Sequence, residues 1–297
     1  MLTSGTALHA IFETAAALER AEASARVLAA RAAGHAGAPR AFAELAAIAP
    51  DGLIPTPGRG AAHVARQIEH AADTVCDARS LLGDDVVDAV EWAAGMTRRI
   101  AATADALDPA GAARAARRGV ATVRGLVDGT VDRDERWDTF RLGTFMPRAA
   151  WVSALVRAAA TVVAQSGNDQ AWRVAGAVTG LGADGDNIAQ RLVCDRQAVA
   201  TAAHALDQTE SALLALQRKH QVSTAALPLA REAQSRLREA SAKLDHPDEM
   251  AHAMDRVLDA IGALAGAVEP TPLTSRSPGH RLPPGSGRPL SPAGTIG

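Results

Sequence analysis

Gly180-Leu181-Gly182-Ala183-Asp184-Gly185 has the letters of a dinucleotide fingerprint, in which a backbone nest after a strand receives a pyrophosphate at a helix N-terminus. Asp184 and Asp186 would stand where the phosphates bind, and no alternating strand–helix pattern surrounds them. The segment therefore reads as a flexible helix–helix turn. Asp184, Asp186 and Asn187 do not make a calcium loop either, because no glutamate closes a twelve-residue loop. Glu249-x-x-His252 has the spacing used in di-iron bundles, but those sites need a second copy and two further carboxylates. No second copy occurs, and His252 falls beside the apolar seam of Met250, Met254 and Val257. His63 and His70 share a helix face, with Gln67 between them and seam residues Val64 and Ala71 alongside. Two imidazoles two turns apart do not chelate one ion without other ligands, so they read as edge residues making ordinary hydrogen bonds. Cys76 and Cys194 lie beside apolar residues 118 positions apart and read as inert buried thiols, not a disulfide scaffold. No serine or cysteine stands in a nucleophile motif. The expectation is a non-enzymatic protein with no cofactor, no metal site and no catalytic residue.

Two clusters could bind instead. Arg114, Arg117, Arg118 and Arg124 fall within about 120° of one helix face at about 100° per residue, opposite Ala116, Val120, Val123 and Val127. Pro109 to Val127 contains no acidic residue, so this face is a candidate for nucleic acid or another anion. The competing reading is a solvated face paired with Asp132, Asp134, Glu135 and Asp138 just downstream. The second cluster is aromatic: Trp137, Phe140, Phe145 and Trp151 are half of the chain's eight aromatic residues. Large rings bury about 150–250 Å² each, so the block can dominate one contact. It is expected to cement two helix sets, with at least two rings largely buried within one chain, or else to anchor an interface with another chain.

The elements that must position these groups are helices. Of 297 residues 70 are alanine, the best helix former, and tyrosine is absent. Only Lys219 and Lys243 are lysine among 31 basic residues, a bias that points to a GC-rich bacterial genome and implies nothing about nucleic acid. Ala61, Val64, Ile68, Ala71, Val75 and Ala78 follow alternating steps of three and four. So do Val86, Val90, Ala93 and Thr97, and again Met250, Met254, Val257 and Ile261. Such stripes make the seams of antiparallel bundles. Helices are expected near 3–33, 60–82, 84–107, 109–127, 147–166, 168–179, 186–218, 224–244 and 247–268, with a short one around Phe42.

These readings divide the chain into an N-terminal helical bundle (1–128), a charged and aromatic connector (129–146), a C-terminal helical bundle (147–268) and a disordered tail (269–297). Seven of the fifteen prolines fall in the last 28 residues, too little apolar surface to offset ordering. A net charge of −2 argues against bulk attraction to DNA or anionic membranes. No apolar run reaches the roughly 20 residues of a spanning helix, and the start lacks a signal peptide's pattern. There is no Trp-x-Gly turn, and a tyrosine-based export signal is excluded by composition. The expectation is an all-α cytoplasmic interaction or scaffold protein with a protein partner, self-association included. The alternative is a nucleic-acid-associated accessory protein; an enzyme with an unrecognised site comes third.

Overall fold

A computed structural model describes residues 4–34, 38–50, 54, 60–104, 109–182, 187–219 and 222–268. Helix accounts for 86% of them, and no strand occurs among them. The helices are α1 (Ser4–Ala32), α2 (Ala38–Ile48), α3 (Gly60–Val75), α4 (Arg79–Leu82), α5 (Asp84–Ala104) and α6 (Pro109–Thr130). They continue as α7 (Glu135–Ser166), α8 (Gln170–Thr179), α9 (Ile188–Cys194), α10 (Ala202–Arg218), α11 (Ala226–Ser241) and α12 (Pro247–Val268). A 3₁₀ turn, Cys76–Ala78, joins α3 to α4. The chain is all-α. The tail expected at 269–297 and residues 183–186 of the glycine-rich turn lie outside the described residues.

The three–four seams become buried helix faces. Val64 and Ile68 of α3, Val86 and Val90 of α5, and Met250 and Met254 of α12 are all buried. Each such side chain contributes about 1.5–3 kcal/mol by leaving water. Small residues then let backbones approach. A Cβ on Gly143 of α7 would collide with the Phe12 carbonyl oxygen and stand 2.9 Å from the Ala15 Cβ of α1. Gly143→Ala is therefore expected to cost about 1–3 kcal/mol in urea denaturation. An unchanged midpoint would mean that α1 and α7 are not in close contact there.

The structure departs from the sequence reading at three places. Residues 129–146 are not a connector: most of them form the first half of α7, which runs unbroken through Pro147. A proline inside a helix forfeits one backbone bond and costs about 3 kcal/mol. Burial on both sides of it, by Leu142 and Met146 before and Val152 and Leu155 after, offsets that cost. Second, the helix expected over 186–218 is two. Asp195 Oδ1 accepts from the Gln197 and Ala198 amides at 2.9 and 3.0 Å, and Thr201 Oγ1 caps α10 by accepting from His204 N. This local turn competes with continued helix.

Third, the two helix sets are not split at the expected boundary. α1 packs on α3, α6, α7 and α8, and α2 packs on α7 and α8. Val27 of α1 and Phe42 of α2 share a core with Val152, Leu206 and Met254. A second core joins Ile11 and Leu18 of α1 to Val90 of α5, Val123 of α6 and Phe140 of α7. α1 and α7 are thus common to both. Among the described residues α7 is the one helix long and apolar enough to cross a membrane, and 56% of its apolar window is buried inside the protein, as in a core helix.

Candidate functional site: a buried glutamate–arginine network

Glu19, Glu22 and Arg26 follow one another on α1 at steps of three and four, so they share a face. That face is otherwise apolar, with Ile11, Leu18 and Ala25 buried. Arg148 of α7 donates from Nε and Nη2 to the two oxygens of Glu19, at 2.7 and 2.6 Å, the bidentate geometry of the strongest guanidinium–carboxylate pairs. Arg124 of α6 bridges Glu19 and Glu22. Arg26 holds Glu22 through Nη2 at 2.7 Å and Nε at 3.1 Å, and its Nη1 donates to the Thr179 carbonyl at the end of α8. Three guanidiniums and two carboxylates therefore tie four helices together.

Burial pushes the Glu22 carboxyl upward, but Arg124, Arg26 and Arg148 outweigh it and hold the group at about 2, against an ordinary 4.5. Burial likewise opposes the charge on Arg148, and Glu19 and Glu22 more than restore it. A carboxylate held below its unfolded value stabilises the fold above that value and loses its contribution as pH falls. Glu22 should thus contribute about 3 kcal/mol at neutral pH, lost between pH 4.5 and about 2. Urea midpoints measured over that range should fall with pH, and Glu22→Gln should flatten the decline. An equally steep decline in the variant would contradict the assignment.

Two recesses flank the network, and Glu19 and Trp151 line both. The smaller, about 290 Å³, lies by Arg26, Arg148, Gly180 and Val199. The larger, about 560 Å³, opens between α1, α3, α7 and α12, beside Arg20, Ser24, His63 and Gln67.

The aromatic block lies within the chain's own contacts. Phe140 is buried in the α1–α5–α6 core, while Trp137, Phe145 and Trp151 are half-buried. Trp137 donates from Nε1 to Asp128 at 3.1 Å, with the guanidiniums of Arg133 and Arg141 over its ring at 4.0 and 4.4 Å. Phe145 meets the His204 ring edge-on at 5.8 Å. The arginine face needs a correction. Arg114, Arg117 and Arg118 are exposed, but Arg124 turns inward to the network. It is the member nearest the apolar seam, about 40° from Val120 at about 100° per residue, which lets it reach α1. The downstream acids pair elsewhere: Asp132 and Asp134 hold Arg136, and buried Asp138 meets Lys219 at 3.2 Å.

The remaining candidates separate. His63 and Gln67 face the larger recess, whereas His70 is exposed. Glu249 pairs with Lys243 at 2.6 Å, and His252 is exposed. Among the described residues no group of three or more His, Cys, Asp or Glu side chains is placed to hold a metal ion. Gly180 and Gly182 adopt φ of 89° and 93°, left-handed turns that end α8. Cys76 and Cys194 are exposed, not buried: each falls at a helix end, where the apolar stripe no longer covers it.

A family model, Alpha-E, described as a predicted alpha-helical domain with a conserved ER motif, matches residues 56–271. The chain belongs to this family. No curated protein and no solved structure matches it. Glu-Arg occurs once within the matched residues, at Glu135-Arg136, where Arg136 also donates to the Leu81 carbonyl at 3.2 Å. It occurs once more at Glu19-Arg20 on α1, where Glu19 is the centre of the buried network.

Proposed function

From this membership in a helical family we propose that the chain is a non-enzymatic interaction domain of the cytoplasm, pairing with a second copy of itself through the outer face of α5. The observation that carries this reading is Trp92, which is 49% exposed in a chain with eight aromatic residues. It sits at the centre of an outward stripe, Asp85, Asp88, Trp92, Gly95 and Arg99, spaced by threes and fours. The stripe is self-complementary about Trp92. In an antiparallel pair, Asp85 of one copy meets Arg99 of the other, each about 10 Å from the centre. Gly95, with no side chain, leaves only the Arg99 guanidinium beside the indole of the second copy, 4.0 Å from where a Cβ would stand. One helix face buries little area, so the expected affinity is micromolar.

Sedimentation velocity over rising concentration should show a monomer–dimer shift. Trp92→Glu should hold the chain monomeric at an unfolding midpoint lowered only slightly, because about half of the residue is already exposed. A constant monomer mass in the wild-type chain would defeat the reading.

The nucleic-acid reading keeps one favourable observation: Arg114, Arg117 and Arg118 are exposed together on α6. Under that reading, affinity for a DNA duplex falls steeply with salt, and neutralising the three flattens the slope. Absence of binding at low salt removes it.

A further inference from the structure

The larger recess carries groups that neither the core nor the ion-pair network uses. Ser24 is only 5% exposed, yet its hydroxyl lines the cavity and has no hydrogen-bond partner among the described residues. The side chains of His63 and Gln67, one turn apart on α3, line the same cavity, also without a hydrogen bond among the described residues. Three polar side chains that no partner in the fold holds, converging on one cavity with an apolar wall, are the few orienting groups that a small-molecule site requires. Burial, with Arg66 nearby, lowers the His63 pKa and keeps its ring neutral, with one donor and one acceptor nitrogen.

The charge balance selects the ligand's sign. Glu19 reaches the cavity but is already neutralised by Arg124 and Arg148. Arg20, one turn before Ser24, is held only loosely by Glu13, at 3.7 Å, and its side chain is 44% exposed. The opposite wall is apolar: the Trp151 indole with Ala150, Ala154 and Leu258.

We propose that this recess binds a small aromatic carboxylate, whose ring lies on Trp151, whose carboxylate accepts from Arg20 and Ser24, and whose ring substituents pair with His63 and Gln67. A volume of about 560 Å³ suits a molecule of one or two rings. The site is separate from the α5 face, so the two readings fail independently.

The probe is 2-naphthoate, titrated calorimetrically into the full chain beside 2-naphthamide and the peptide Gly-Gly-Phe. Binding of 2-naphthoate is expected, weaker by about tenfold or more for the amide, which lacks the charge that Arg20 meets. Arg20→Gln should lose a similar factor, and Trp151→Leu should weaken 2-naphthoate more than it weakens cyclohexanecarboxylate. Trp92→Glu should leave the affinity unchanged. No heat from 2-naphthoate at millimolar concentration, or equal affinity in Arg20→Gln, would overturn the proposal. Tighter binding of Gly-Gly-Phe would overturn the small-acid assignment in favour of a peptide terminus.

Discussion

Arg148→Ala is expected to cost about 3–5 kcal/mol of stability, a large share of what a typical domain has. The arginine is buried and makes both bonds to Glu19, so its loss leaves that carboxylate in the interior with Arg124 as its remaining cation. Most of the loss would be the stranded charge, not the absent attraction. The double variant Glu19→Gln with Arg148→Met should accordingly recover much of the deficit, because removing both partners removes the desolvated charge as well. Urea denaturation of Glu19→Gln, Arg148→Met and the double variant checks this. A double variant as unstable as the sum of the singles would mean that the two groups are not coupled.

Phe140→Ala should cost a comparable amount, about 3–5 kcal/mol, through the cavity it leaves. The ring is buried in the core that it shares with Ile11 of α1, Leu82 of α4, Val90 of α5 and Val123 of α6. Its removal should lower the unfolding midpoint while leaving the oligomeric mass as in wild type. Phe145→Ala, half-buried against His204, should cost less. Unchanged stability with lost association in Phe140→Ala would place the aromatic block at an interface instead.

Much of the fold is legible in the sequence because burial follows a single rule along each helix. A stripe such as Val64, Ile68 and Ala71 has to face a core, and it does. Pro147 misleads because the local rule for proline ends a helix, whereas the buried residues on either side of it stabilise the helix through the proline. The break at Asp195 is hidden for the opposite reason: an Asx turn and a threonine cap act over four or five residues, too short to disturb an apolar period.

The network is less legible, since its members come from positions 19 to 148 and meet only in three dimensions. One local signal exists. Ile11, Ala15, Leu18, Glu22 and Ala25 form a three–four seam in which a glutamate takes an apolar place. A charge on a seam requires a buried partner, and that requirement points to an arginine elsewhere in the chain. Arg124, at the seam edge of its own helix, fits that requirement better than it fits a solvent face. The larger recess gives no local signal, because Ser24, His63 and Trp151 are each unexceptional on their own helices and are brought together by the packing of α1, α3 and α7.

The proposed antiparallel pairing of two copies through α5 is open to a test by charge reversal. Asp85→Arg would face Arg99 of the second copy, and Arg99→Asp would face Asp85, so each single variant sets like charges together and should weaken the dimer. The double variant restores opposite charges with their signs exchanged. Dissociation constants from sedimentation should therefore weaken in both singles and return towards wild type in the double. A double variant at least as weak as the sum of the two singles would contradict the pairing.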